Sequence, residues 1–121
     1  MKVKIDTKEK MHVITVEEAK LAANMTEEFK NTLLTYLNAP VKNVVINLEG
    51  VDEMDENSAE ILLSVQQAFY DTNHSLVFCK LKPAVEKFLD QLELLELMNV
   101  TPTESEARDI VQMEEIEREF M

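Results

Sequence analysis

Apolar and polar residues alternate at the start of the chain. Val3 and Ile5 stand between Lys2, Lys4 and Asp6, the period of a half-exposed strand. Met11–Val16 (MHVITV) is richer in β-branched residues and predicts its neighbour, with the polar TKEK between them as a hairpin connection. The period then changes. Thr26 offers an N-cap, and Glu27 and Glu28 suit the positive end of a helix dipole. Phe29, Leu33, Tyr36 and Leu37 follow at i, i+4, i+7 and i+8, which predicts an amphipathic helix ending near Asn38 and Pro40. In Val41–Leu48 (VKNVVINL) the contiguous Val44, Val45 and Ile46 predict a central strand covered on both faces.

Beyond Gly50 lies an acidic knot, VDEMDENSAE, and then Ile61, Leu62, Val65, Ala68 and Phe69 on a helical stripe. Ser75–Leu81 (SLVFCKL) predicts another parallel strand. Pro83 opens a third helix where its missing N–H costs nothing, with Ala84, Val85, Phe88, Leu89 and Leu92 marking its apolar side. Leu97–Val100 (LMNV) predicts a short last strand. Thr103-Glu-Ser-Glu106 matches a capping box for a fourth helix, in which Ala107, Ile110, Val111 and Met113 are expected to face inward and the later EEIERE is mostly polar. This order, without repeats or linkers, predicts one α/β domain over residues 1–121. Its sheet is mixed but mainly parallel, of four to five strands, with about four helices and right-handed crossovers.

Charge narrows the function. Asp and Glu number 24 against 12 Lys and Arg, a net charge of −12. Such a chain repels nucleic acid and anionic lipid surfaces, and suits a protein partner with a basic patch. The start of the chain lacks the apolar run and cleavage site of a signal peptide, and no stretch is long enough to span a bilayer. With a single cysteine, Cys79, and hence no disulfide within the chain, a cytoplasmic location is expected.

Candidate chemistry is sparse. The single glycine, Gly50, argues against phosphate loops, dinucleotide fingerprints and nucleophile elbows. His12 and His74 have no metal-ligand spacing and read as surface or edge residues; Cys79 reads as a small core residue, and the seven methionines read as core fillers. The carboxylates of the knot lack a convergent His, Lys or Ser, so no catalysis, metal or cofactor is expected. Read physically, the knot caps a helix. Asp55 or Asn57 is the acceptor, Asn57 with Glu60 mimics a capping box, and Glu56 sits near the first turn.

The strand NVVINLEGV, followed by MD, small or polar residues and ILL, resembles the STAS domain of anti-sigma factor antagonists. The resemblance continues through FYDTNHSLVFCKLKPAVEKFL and covers essentially the whole chain. The family string is M/I-D-S-S-G; here the matching residues are Met54, Asp55, Glu56, Asn57 and Ser58. The resemblance implies a non-enzymatic regulatory module of bacterial signalling whose partner is an anti-sigma factor or serine-kinase-like regulator, or a phosphatase-like one. In switching members the residue after the Asp is a Ser or Thr that the partner kinase phosphorylates, which blocks binding. Here that residue is Glu56, and Ser58, out of register by two, is the nearby hydroxyl. Two expectations stay open: Glu56 as a permanent partial phosphomimic, or as a neutral first-turn residue. The expected contact surface is Asp55, Glu56, Asn57 and Ser58 with Ser64, Gln66 and Gln67 on the following helix. The alternative role is an accessory STAS subunit of a membrane or lipid transporter.

Overall fold

The computed structural model describes residues 1–120. Five strands form the main sheet: β1 (Val3–Thr7), β2 (Met11–Val16), β4 (Asn43–Asn47), β6 (Leu76–Cys79) and β7 (Val100–Thr101), hydrogen-bonded in that spatial order. β1 runs antiparallel to β2 as the hairpin pattern predicts, and the remaining neighbours are parallel. Two further strands, β3 (Lys20–Leu21) and β5 (Glu53–Met54), pair with each other in a separate parallel sheet. The helices are α1 (Ala23–Thr35), α2 (Glu56–Asp71), α3 (Pro83–Gln91) and α4 (Glu104–Glu119), with short 3-10 turns at Tyr36–Asn38 and Leu95–Leu97.

The strand period of two sorts the core into two layers. Ile14, Val16, Val44, Ile46, Leu76 and Phe78 point to the side where α1, α2 and α3 pack Phe29, Leu33, Leu62, Phe69, Val85 and Leu89. Met11, Val13, Val45, Val77 and Cys79 point to the other side, which Ala107 and Val111 of α4 cover. Each fully buried Leu or Phe stabilises by about 1.5–3 kcal/mol, so the three-helix layer dominates the core.

Several boundaries differ from the sequence pattern, each for a tertiary reason. α1 begins at Ala23 rather than after Thr26, and no acid stands in its first turn. Thr26 is fully buried and donates to Ser58 Oγ at 2.8 Å, so its hydroxyl is used between helices rather than as a cap. The last strand is Val100–Thr101, because Leu95–Leu97 is taken by a 3-10 turn. Ala84 is exposed, and Met113 is exposed rather than inward. His12 is neither a surface nor an edge residue. It lies buried on an interior strand, stacks on Tyr36 at 4.3 Å, and bonds Thr7 Oγ1 and the Val41 carbonyl, each at 2.9 Å.

The inner side of the last turns of α4 is polar. Glu114 Oε1 accepts from the Tyr70 hydroxyl at 2.7 Å and from Ser75 Oγ at 2.6 Å, and Arg118 reaches Ser75 Oγ at 2.7 Å. Glu115 Oε1 accepts from Asn43 Nδ2 at 2.7 Å. Burial, and then Glu114, raise the Tyr70 phenol above the usual tyrosine range, so it stays a donor. At the other end of α4, Thr103 Oγ1 accepts from Glu106 N at 3.1 Å, as the capping pattern predicts. Thr103→Ala is expected to cost about 1 kcal/mol by denaturant titration; an unchanged midpoint would show the cap to be dispensable.

Candidate functional site

The site is built where the parallel strands end. β2 and β4 both run into loops at the carboxyl edge of the sheet, and those loops meet in the β3–β5 pair. Ala19 O accepts from Asp52 N at 2.7 Å, and Leu21 O accepts from Asp55 N at 3.1 Å, so the two connections are tied along their length. Gly50 permits this approach, since a Cβ there would stand 3.1 Å from Val16 O. α1 and α2 therefore start side by side.

Asp55 joins the two starts. Its Oδ1 accepts from Ser58 N at 2.7 Å and caps α2, while its Oδ2 accepts from Ala23 N at 3.1 Å at the first residue of α1. α1 has no cap side chain of its own at Ala22, so the second oxygen supplies one from thirty-two residues away in the chain. The Ser58 bonds, and then those to Ala23 and the charge of Lys20, hold the Asp55 carboxyl below its ordinary value against slight desolvation. Beneath it, Thr26 donates to Ser58, and Ser58 Oγ donates to Leu21 O at 3.3 Å.

Around this joint the predicted residues separate into two groups. Glu56 and Asn57 are exposed in the first turn of α2, and Glu60 is exposed one turn on. Asn57 does not cap; the acceptor is Asp55, two positions earlier, and the expected Asn57–Glu60 box is absent. Ser58 is fully buried and spent on Thr26 and Leu21, so its hydroxyl is not presented to a modifying enzyme. Along the helix Gln67 is exposed, and Ser64 is half-buried with its hydroxyl on Ile61 O at 2.7 Å. Gln66 points inward. Its Nε2 donates to Leu97 O at 2.9 Å and its Oε1 accepts from Asn99 N at 2.8 Å, bracing the approach to β7. Its place on the Leu62–Val65–Phe69 stripe was the available signal.

Asn24, Glu27, Asn57, Glu60, Ile61 and Ser64 line a cleft of about 490 Å³ between α1 and α2, wide open to solvent. Its rim is acidic. Asp52 and Glu53 pair with Lys82 and Lys20, surface pairs of small energetic weight, whereas Glu27, Glu56 and Glu60 have no ion-pair partner among the described residues. Such a surface suits basic groups of another molecule better than an apolar ligand.

The one thiol of the chain lies away from this region. Cys79 is fully buried, and its thiol is pushed up to about 12 by burial first and by Glu104 next. Native protein is expected to leave a thiol reagent unreacted at neutral pH and to react only on unfolding; prompt native labelling would contradict this. Among the described residues no three His, Cys, Asp or Glu side chains gather as a metal site, and no helix is long and apolar enough to cross a membrane.

No curated relative matches the chain by sequence. Solved structures share its fold. The anti-sigma factor antagonist SpoIIAA in its unphosphorylated form is 18% identical, with a TM-score of 0.72 over 92% of this chain and 96% of that one. A glutamate variant of Moorella thermoacetica RsbS, made at a serine, is 22% identical, with a TM-score of 0.76 over 93% and 96%. An anti-sigma-factor antagonist (STAS) domain protein from Planctomyces limnophilus is 20% identical, with a TM-score of 0.73 over 87% and 93%. The STAS domain family matches residues 2–107, which takes in every strand, α1, α2 and α3, and the first turn of α4. The chain belongs to the STAS domain family.

Proposed function

We propose that this domain is a non-enzymatic interaction module of the anti-sigma-antagonist kind. It engages, through the start of α2, a protein regulator of the phosphatase-like kind that takes the phosphorylated form of such a domain, and it binds an anti-sigma serine kinase weakly or not at all. The observation that carries this reading is the double cap by Asp55, which fixes α2 and presents Glu56, Asn57 and Glu60 to solvent. Glu56 occupies the position where the family's switch carries Ser or Thr, directly after the Asp. A phosphoserine brings about −1.5 to −2 charge to such a helix start, and a carboxylate brings about −1. Glu56 thereby acts as a permanent partial mimic of the phosphorylated state, and the domain works as a fixed rather than switchable element. The likeness in fold to proteins named as anti-sigma factor antagonists supports the reading, as does the acidic, unpaired rim. A cytoplasmic setting fits the same role.

Affinity capture from the native cell identifies the partner, and hydrogen exchange on the purified pair then maps the contact. Protection of the first turns of α1 and α2 is the expected footprint. A footprint confined to β1 or α4 would refute the assignment of the surface, and recovery of a transporter subunit would point to the accessory role instead.

A further inference from the structure

The outer face of α4 carries three large apolar side chains that the fold leaves uncovered. Met113 is 59% exposed, Ile116 54% and Phe120, at the helix end, 84%. They recur at i, i+3 and i+7 and so share one side of the helix. Ala107 and Val111, packed on the sheet, lie on the opposite side. The three are not core residues turned the wrong way. The inward positions of the same turns are filled by Glu114, Glu115 and Arg118, which bond Tyr70, Ser75 and Asn43. The amphipathic sense of this half-helix is inverted, polar toward the domain and apolar toward solvent. It also lies beyond residues 2–107, so the family match says nothing of it.

The charge around the stripe has one sign. Glu106, Asp109 and Glu117 stand seven before, four before and four after Met113, on the same side, and all are exposed. None has an ion-pair partner among the described residues. Arg118 is engaged inward by Ser75 and Glu115. A second copy docking here would bring two acidic rows together at a net charge of −12 each, and an anionic lipid surface meets the same repulsion. We infer that the outer face of α4 is a second protein-docking surface, whose occupant presents an apolar groove edged with Lys or Arg. This surface is independent of the one proposed at α2.

A helical peptide with leucine on one face and lysine along both edges serves as the probe, titrated by fluorescence anisotropy against the full chain. The triple variant Met113→Gln, Ile116→Gln, Phe120→Ser is expected to weaken binding at least about fivefold. Asp109→Lys with Glu117→Lys, which leaves the stripe intact, is expected to weaken it about as much. A matched leucine/glutamate peptide is expected not to bind. Unchanged affinity in the triple variant overturns the proposal, as does equal binding of the glutamate peptide. Sedimentation showing a dimer of the native chain that the triple variant abolishes assigns the face to a second copy and overturns it too. Stripe-dependent binding to anionic vesicles has the same force against it.

Discussion

Asp55→Ala is expected to lower the melting temperature by about 8 °C at neutral pH, a loss of about 2 kcal/mol. One substitution removes two caps, since Oδ1 serves Ser58 N and Oδ2 serves Ala23 N. Each cap contributes about 1 kcal/mol, and although Asn24 Oδ1 accepts from Met25 N in the first turn of α1, no other side chain accepts from Ala23 N or Ser58 N. Asp55→Asn retains one side-chain oxygen and is expected to recover about half of the loss. The pH dependence has a definite sign. The native carboxyl is held below its ordinary value, so its contribution is fully present above the unfolded value of about 3.9 and is lost as pH falls through the lower native value. Wild type and Asp55→Ala should therefore differ most near neutrality and converge in acid. A loss below about 0.5 kcal/mol at neutral pH would show that water replaces the carboxylate at both helix starts.

The central strands and the starts of α3 and α4 were readable because their signals are local. Val44, Val45 and Ile46 are contiguous and apolar, Pro83 stands at a helix start, and Thr103 precedes Glu106 by three. The joint at Asp55 was only half readable. Its bond to Ser58 is a three-residue pattern, but its bond to Ala23 crosses the sheet edge and depends on β3 and β5, two residues each, too short for any periodicity. The same gap misplaced the start of α1. Thr26 has cap chemistry, yet the cap comes from the other helix and Thr26 is drawn inward to Ser58. Met113 misled in the opposite way. Its apolar type predicts an inward residue, while the polar seam of Glu114 and Arg118 takes the inner side of those turns.

The second large effect concerns binding, and its direction distinguishes it from damage to the fold. Glu56→Ser removes a carboxylate from the first turn of α2, where the helix dipole favours negative charge by about 0.3–1 kcal/mol. Stability should fall slightly. Affinity for an anti-sigma serine kinase should instead rise by at least about tenfold, or about 1.4 kcal/mol, because a neutral hydroxyl replaces the fixed charge beside Asp55. A substitution that merely loosened α2 would lower both quantities together. The buried Ser58 hydroxyl leaves residue 56 as the position at which phosphate can be added in this turn.

Titration calorimetry of the native chain and Glu56→Ser against a purified anti-sigma serine kinase from the same cell, with intact mass read after addition of ATP, tests the central claim most directly. The account predicts weak or absent binding by the native chain, and clear binding with one added phosphate for the serine variant. Binding that is absent in both, or equal in both, would contradict the assignment of Glu56 as a fixed substitute for the phosphorylated switch.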